Sequence, residues 1–143
     1  MNCRLVGHGS SEYLQAVELR RQVLRLPLGL DFTEEQLASE IDSFHFVGDV
    51  EGFVLATAIA TPIDLETVKI RQVAVSQTQQ GKGYGRDIML CAEDWAREME
   101  YKSVILHARA AVTDFYLKLG YELFDEPFEE VGIPHRKMRK SLI

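Results

Sequence analysis

The stretch VSQTQQGKGYGRDIMLCAEDWA, residues 75–96, places glycines on alternate positions between an apolar run and a helical pattern. These glycines are Gly81, Gly83 and Gly85. Glycine loses more conformational freedom on folding than any other residue, so their clustering indicates a requirement of the backbone. The first turn of a helix leaves N–H groups unpaired, and its dipole favours negative charge. The stretch therefore predicts a phosphate-binding loop, to which Lys82 and Arg86 add positive charge.

The positions of the glycines exclude two common phosphate-binding motifs. The dinucleotide fingerprint G-x-G-x-x-G would need a glycine where Arg86 stands, and the third glycine comes one residue early at Gly85. The nucleoside-triphosphate loop needs Ser or Thr after its lysine, and Gly83 follows Lys82. Two interpretations remain: another phosphate ligand, or a tight turn that uses its glycines only for packing.

Strand and helix patterns run along the whole chain. The strand patterns are NCRLV, FHFVGDV, FVLATAIATP, TVKIRQVAV, SVILHA, YELFDE and PHRKMRKSL. The helix patterns are SSEYLQAVELRRQVLRLP, TEEQLASEI, residues 83–99 and AVTDFYLKLG. The crossover from QVAV through the helix at 83–99 to SVILHA predicts a βαβ unit with parallel strands. We expect one domain, residues 1–143, with a mixed α/β fold of about six to seven strands and about four helices.

The strand pattern TVKIRQVAV changes its alternation in the middle. Val68 and Ile70 share one face, whereas Val73 and Val75 fall on the opposite face. A β-bulge near Gln72 would reconcile the two halves, and bulges are common beside active sites. A strand that is buried on both faces would show the same irregularity.

Helical spacing assigns faces to the predicted helices. In the first helix Leu14, Val17 and Leu24 share one face, which we expect to be buried. In the helix at 83–99 Glu93 and Arg97 are spaced for an i,i+4 ion pair, which we expect on the solvent side.

Composition narrows the class of protein. The chain has 143 residues with a formal net charge of −6, which argues against binding to a nucleic-acid backbone. No apolar run is long enough to span a bilayer, and the N-terminus has no secretory signal pattern. Cys3 and Cys91 lie far apart in the sequence, and the histidines are scattered. We therefore expect a cytoplasmic protein that has no metal site and no membrane partner.

Three segments together resemble the GNAT superfamily of acyl-CoA N-acyltransferases. Residues 80–85 match its Q/R-x-x-G-x-G/A signature, LETVKIRQVAV resembles its fourth strand, and DFYLKLGYE resembles its F-Y-x-x-x-G-[FY] motif. The order of elements extends the resemblance over almost the whole chain, in the manner of small bacterial GNAT proteins. It implies a single GNAT acyltransferase domain, a twisted mixed sheet splayed between strands 4 and 5, and acetyl-CoA as co-substrate.

The resemblance also implies which residues contact the co-substrate. The main-chain N–H groups of the glycine loop would hold the pyrophosphate of coenzyme A; these residues are Gln80, Gly81, Lys82, Gly83, Tyr84, Gly85 and Arg86. The pantetheine arm would lie along the fourth strand, where Val73, Ala74 and Val75 offer main-chain groups. The N–H of Val75 is the expected donor to the thioester oxygen.

Tyr116 is the expected proton source for the departing thiolate, because it matches the family tyrosine that often faces the CoA sulfur. The alternative is that Tyr116 only packs in the helix. The base is less determined, since Lys69 occupies the position where several relatives have a glutamate. Glu66 is near in sequence but in a predicted turn. His107 ends the fifth strand and would accept the amine proton directly or through water, or would only cap the strand or bond to pantetheine.

The acceptor side has two candidates. Arg71, beside the expected bulge, could hold a carboxylate on the substrate or lie on a solvated face. His135, after Pro134 in the last hairpin, could line the acceptor pocket. The first functional hypothesis is acetyl transfer from acetyl-CoA to a primary amine of a small molecule or peptide, by direct attack in a ternary complex. The alternative is a non-catalytic acyl-CoA-binding or sensor domain. The sequence leaves the choice between a monomer and a homodimer open.

Overall fold

The structure is a computed structural model that describes residues 1–143 and contains one seven-stranded sheet. Its strands are β1 (Asn2–Val6), β2 (Phe44–Val50), β3 (Phe53–Pro62), β4 (Thr67–Val75), β5 (Ser103–Arg109), β6 (Glu122–Glu130) and β7 (Ile133–Ser141). Its α-helices are α1 (Ser11–Arg20), α2 (Glu34–Ser39), α3 (Tyr84–Glu98) and α4 (Thr113–Lys118). The strand order is β1-β2-β3-β4-β5-β7-β6, and only β4 and β5 pair in parallel. The mixed fold, the strand and helix numbers and the parallel crossover are confirmed.

Two short turns fix the hairpins of the sheet. Glu51 and Gly52 have positive φ values of 54° and 86° between β2 and β3, and Val131 and Gly132 have φ values of 47° and 75° between β6 and β7. Positive φ at both central residues is typical of the two-residue turns that match the twist of antiparallel strands. Glu51–Gly52 therefore closes the hairpin between β2 and β3, and Val131–Gly132 closes the hairpin between β6 and β7.

β4 contains the expected bulge at Gln72. The φ of this residue is 55°, and the register with β3 changes from Ile59 opposite Arg71 to Thr57 opposite Ala74. The extra residue in β4 restores the alternation. As a result, Val73 packs against the same core as Ile70.

The sheet has a helical layer on each face. Val68, Ile70 and Val104 belong to the core beneath α3 and α4. Side chains that alternate with these core residues point to the other face of the sheet, where α1 packs on β3 and β4. Ile59 of β3 is buried on that face. β4 and β5 pair over only three residues each, and the candidate site lies where these two strands separate.

Two expectations about helix faces are wrong. Val17 of the predicted face is buried, but Leu14 is 61% exposed, because α1 buries Tyr13 and Ala16 beside Val17. Glu93 is 0% exposed rather than on the solvent side. The reason is the C-terminal part of the chain, which covers α3 and supplies the partners of Glu93: the Tyr121 hydroxyl donates to it at 2.7 Å and the Lys140 ammonium at 2.7 Å.

Candidate active site

A cleft opens between β4 and β5 because these strands pair over only a short length. The parallel register joins Thr67–Lys69 to Ser103–Ile105 and ends there. β5 continues to pair with β7 along its whole length, whereas β4 bends away at its bulge. The main chain of β4 from residue 70 to residue 75 therefore has no strand partner on the β5 side.

The glycine loop lies at the C-terminal end of β4 and leads into α3. None of the main-chain N–H groups from residue 80 to residue 86 donates a hydrogen bond within the chain. Gly81 and Gly83 have φ values of 85° and 86°, and no other part of the chain lies within 4 Å of where their Cβ atoms would be. The loop thus presents free N–H groups to open space at the start of a long helix, as an anion site requires.

The third glycine has a different explanation. A Cβ on Gly85 would lie 3.2 Å from the ring of Phe115 and 3.6 Å from the Val75 side chain. The absence of a side chain at Gly85 therefore allows α3 to pack closely on α4. The packing interpretation therefore explains Gly85. Gly81 and Gly83 serve the conformation of the backbone, and phosphate binding by the loop stays a prediction.

Tyr116 lies on α4 against the core face of the sheet. It is 9% exposed, and its ring packs edge-on against Phe115 at 4.9 Å and against Tyr121 at 5.9 Å between ring centroids. Burial raises the pKa of the Tyr116 hydroxyl to about 12. The phenol is therefore protonated throughout the neutral range and keeps its hydrogen available for donation.

His107 lies on the opposite face of β5, because its neighbours Leu106 and Ala108 point into the core. Its Nδ1 is 3.0 Å from Glu130 Oε1 and 3.3 Å from Lys69 Nζ. In the tautomer that carries its hydrogen on Nδ1, His107 donates to Glu130 and keeps the lone pair on Nε2. Such a carboxylate–imidazole pair is the usual arrangement of a histidine that accepts a proton.

Glu130 joins the two candidate histidines and was missed in the sequence. Its Oε2 is 3.7 Å from Nε2 of His135, whose Nδ1 donates to the main-chain oxygen of Ile133 at 2.8 Å. Burial alone would raise the pKa of the Glu130 carboxyl, but the hydrogen bond and charge of His107, with the charges of His135 and Lys69, lower it below its usual value. Glu130 is therefore a carboxylate at neutral pH.

No local pattern singles Glu130 out. It ends the acidic run in DEPFEE, and only the turn between β6 and β7 brings it to β5. Glu66, the other carboxylate considered, lies at the closed end of the β4–β5 pair, where it binds Lys102 at 3.2 Å on the surface. The cleft therefore takes its carboxylate from the last hairpin and carries Lys69 on β4.

Arg71 lies on the α1 side of the bulge, where it lines a cavity of about 120 Å³ together with Gln72. His135 is not in this cavity but in the Glu130 cluster. A second groove, of about 440 Å³ between Leu5, Phe46 and α3, contains none of the candidate residues. The structure thus brings His107 and His135 together and places Arg71 on the far side of Lys69.

The structure contains no group of three or more His, Cys, Asp or Glu side chains arranged to hold a metal ion. None of its helices has the length and apolar character needed to cross a bilayer.

Residues 29–142 match the family model of the acetyltransferase (GNAT) domain. The protein ElaA of Escherichia coli (strain K12) is 32% identical over 109 residues, which cover 71% of this chain and 69% of ElaA. YyaT of Bacillus subtilis (strain 168) is 29% identical over 139 residues, which cover 90% of this chain and 88% of YyaT.

Solved structures give the same fold. The crystal structure of E. coli ElaA superposes with a TM-score of 0.81 at 26% identity, covering 98% of this chain and 99% of that one. An aminoglycoside 6′-N-acetyltransferase complexed with coenzyme A has a TM-score of 0.83 at 13% identity, with 100% and 98% covered. A GNAT family acetyltransferase from Elizabethkingia anophelis with acetyl-CoA bound has a TM-score of 0.75 at 17% identity, with 98% and 97% covered. The last two likenesses concern the fold alone.

Proposed function

This chain belongs to the GNAT acetyltransferase family, and we propose that it moves an acetyl group from acetyl-CoA to a primary amine of a small molecule or peptide. Membership of the family makes it an acyltransferase; the acetyl group, the amine acceptor and direct attack in a ternary complex are the proposal. The observation that carries it is the cleft between β4 and β5, which has a loop of free N–H groups at one end and a carboxylate–histidine pair in its wall.

The glycine loop is the proposed pyrophosphate site. The free N–H groups from residue 80 to residue 86 are its donors, and the side chains of Lys82 and Arg86 are exposed beside them. The unpaired side of β4, at Val73, Ala74 and Val75, is the proposed contact for the pantetheine arm. Acetyl-CoA supplies an activated thioester, and the N–H of Val75 is the proposed donor to its carbonyl oxygen.

His107 is the proposed general base. An amine must lose a proton as it attacks, and the Nε2 lone pair of His107 accepts it directly or through one water. Glu130 holds the imidazole in the required tautomer and stabilises the imidazolium that forms. His135 is proposed to hold the second oxygen of Glu130 and to line the acceptor side.

Tyr116 is the proposed donor to the thiolate that departs. Its pKa of about 12 lies above the value of about 8.5 that is typical of an alkyl thiol, so a strong hydrogen bond is favoured over complete proton transfer. Tyr116 lies on the core face and His107 on the opposite face of the sheet. The two groups can therefore serve the leaving and attacking sides of the reaction without interfering with each other.

The compartment and the domain are also proposals. Cys3 and Cys91 are both free thiols, which fits a reducing cytoplasm. The sheet is continuous from β1 to β6, so we treat residues 1–143 as one acyltransferase domain.

The experiment that tests the function measures CoA release from acetyl-CoA with a thiol reagent, across a panel of primary amines. We expect amine-dependent release that His107→Gln reduces by about 100-fold or more. His8→Gln is the matched control, because the His8 ring bonds to the Leu37 carbonyl and not to a carboxylate. Binding of acetyl-CoA without release by any amine would contradict the enzyme and favour the sensor domain. An equal loss in both variants would contradict the role of His107.

A further inference from the structure

A small polar cavity lies beside the bulge of β4, on the α1 face of the sheet. Its volume is about 120 Å³, and its lining includes Arg25, Phe32, Glu40, Arg71 and Gln72. Pockets that hold complete drug-sized ligands have volumes of about 300–1,000 Å³. The cavity therefore fits one polar group of a larger molecule, whose remainder lies in the adjoining cleft between β4 and β5.

Arg25, which lines this cavity, has a buried hydrogen-bond donor without a partner in the chain. Its Nε is shielded from solvent and has no hydrogen-bond partner. Its guanidinium stacks 5.0 Å from the ring centroid of Phe32, which also carries the guanidinium of Arg20 at 4.6 Å. Glu40 is already engaged, since it accepts from both terminal nitrogens of Arg20. Arg25 is therefore held in position by stacking, while a buried donor is left free for an acceptor from outside the chain.

Further positive charge surrounds Arg25. Arg71 lines the same cavity, and Arg109 approaches from β5, where it donates to the main-chain oxygen of Leu24 at 3.4 Å. Burial lowers the pKa of Arg25, and the charges of Arg20, Arg109 and Arg71 lower it further, against the opposing charge of Glu130. The whole chain has a formal net charge of −6. A local excess of arginines in an acidic protein is electrostatically unfavourable until an anion enters.

We propose that the acceptor amine carries a carboxylate, and that Arg25 and Arg71 bind this carboxylate while the amine lies toward His107. This inference rests on the proposed function and names its substrate class as amino carboxylates. Guanidinium groups match the planar geometry of a carboxylate and bind it through paired hydrogen bonds. The bulge contributes directly, because it places Arg71 and Gln72 on the same cavity.

The first test compares acceptors that differ only in their charged group. Straight-chain ω-amino carboxylates of two to six carbons are assayed beside their carboxamides and the matching aminophosphonates, with CoA release as the readout. We expect kcat/KM for the best carboxylate to exceed that of its amide by about 10- to 100-fold, the effect of one charge-assisted hydrogen bond. Equal rates for carboxylate and amide would overturn the proposal. A tenfold preference for the aminophosphonate over the carboxylate would also overturn it, and would indicate that the natural acceptor carries a phosphate group.

The second test assigns the preference to the arginines. Arg25→Gln and Arg71→Gln are expected to remove most of the preference for the carboxylate through a higher KM for it, at unchanged KM for acetyl-CoA. Arg139→Gln is the matched control, because Arg139 is exposed on β7, where it pairs with Glu122. Arg71 is exposed to solvent, so we expect Arg71→Gln to fold normally and to test the proposal even where Arg25→Gln folds poorly. Retention of the full preference in both variants would overturn the proposal.

A binding measurement separates this inference from the proposed function. Calorimetry compares an N-acetylated ω-amino carboxylate with its amide, on the wild type and on Arg71→Gln, with and without CoA. If acetyl-CoA binds and the N-acetylated carboxylate binds about tenfold more tightly than its amide, the proposed function and the carboxylate subsite are both supported. Absence of acetyl-CoA binding, with the carboxylate still preferred, would contradict the proposed function alone. Binding of acetyl-CoA with equal affinity for carboxylate and amide would contradict the carboxylate subsite alone.

Discussion

Glu130 is the residue that changes the chemistry expected at the cleft. Sequence comparison with the family places Lys69 where a glutamate would act as base, yet Glu130 reaches the same region from β6 and contacts His107 at 3.0 Å. Its low pKa keeps it ionised, so it can hold the imidazole and balance Lys69. The carboxylate and the proposed base are therefore two residues, and each can be tested by a separate variant.

We expect Glu130→Gln to lower kcat by about 100-fold, because an amide cannot stabilise the imidazolium and can hold His107 in the wrong tautomer. Steady-state kinetics at saturating acetyl-CoA measures the effect. Glu129→Gln is the matched control, since Glu129 is the neighbour of Glu130 on β6 and is exposed. A loss of similar size in both variants would mean that the charge of the hairpin matters and the contact with His107 does not.

Tyr116→Phe is expected to lower kcat by about 100-fold while the Kd for acetyl-CoA is unchanged, because the phenol acts only when charge develops on the sulfur. Stopped-flow turnover and calorimetric binding measure the two quantities. Unchanged kcat would show that Tyr116 serves packing alone.

The same variant tests the effect of burial on Tyr116. A pKa of about 12 in the folded protein, against about 10 in the unfolded chain, stabilises the fold at pH values below 10. This contribution is lost as the pH rises from about 10 to about 12, and it amounts to roughly 3 kcal/mol. Denaturant unfolding at pH 9 and pH 12 should therefore show a smaller loss for Tyr116→Phe than for the wild type, and equal losses would refute the raised pKa.

At the scale of elements, the buried Glu93 joins α3 to the C-terminal strands. Its carboxylate receives hydrogen bonds from Tyr121 and Lys140, and Arg97 lies 4.0 Å away on its own helix. The attraction between Glu93 and Lys140 exists only when β7 is in place. The contact therefore makes the position of α3 depend on the last strand of the chain.

Lys140→Met is expected to destabilise the fold by about 3–5 kcal/mol, because it leaves a buried carboxylate without its cation. Urea unfolding followed by circular dichroism measures the change. Lys118→Met, at the exposed end of α4, is the control and should change stability by less than about 0.5 kcal/mol. A small effect at Lys140 would mean that Arg97 replaces the lysine as the cation beside Glu93.

The sequence predicts the helices and strands better than it predicts the tertiary contacts between them. β2, β3 and β4 have the bounds of their patterns, because alternation and turn residues such as Gly52 are local properties of the chain. The bulge at Gln72 was also visible as a slip in that alternation. The contact of Glu130 with His107 and the free Nε of Arg25 were not, because each depends on segments that only the tertiary fold brings together.

At the scale of the whole molecule, acetyl-CoA would occupy a cleft that divides the sheet. Ligand at about 100 times its Kd stabilises a protein by about 2.7 kcal/mol. For a chain of this size we expect a rise in Tm of roughly 5–10 °C, together with slower hydrogen exchange in residues 80–86. Differential scanning calorimetry and hydrogen-exchange mass spectrometry measure the two effects.

S-acetylpantetheine, which lacks the pyrophosphate, is the control for this prediction. It should raise Tm much less than acetyl-CoA at the same concentration, and it should not protect residues 80–86. Equal effects of the two compounds would show that the glycine loop does not bind the pyrophosphate.

The short pairing between β4 and β5 has a further consequence, which concerns self-association. A strand with unpaired main-chain groups is a template for other chains and promotes aggregation. On the outer strand β6, pairing with another chain is opposed by Pro127, by acidic side chains and by the irregular register between Phe124 and Phe128. The free side of β4 instead faces β5 in the middle of the sheet. A strand of another molecule could pair with it only by entering between two strands of the same sheet, so we expect these free main-chain groups to promote aggregation less than those of an outer strand would.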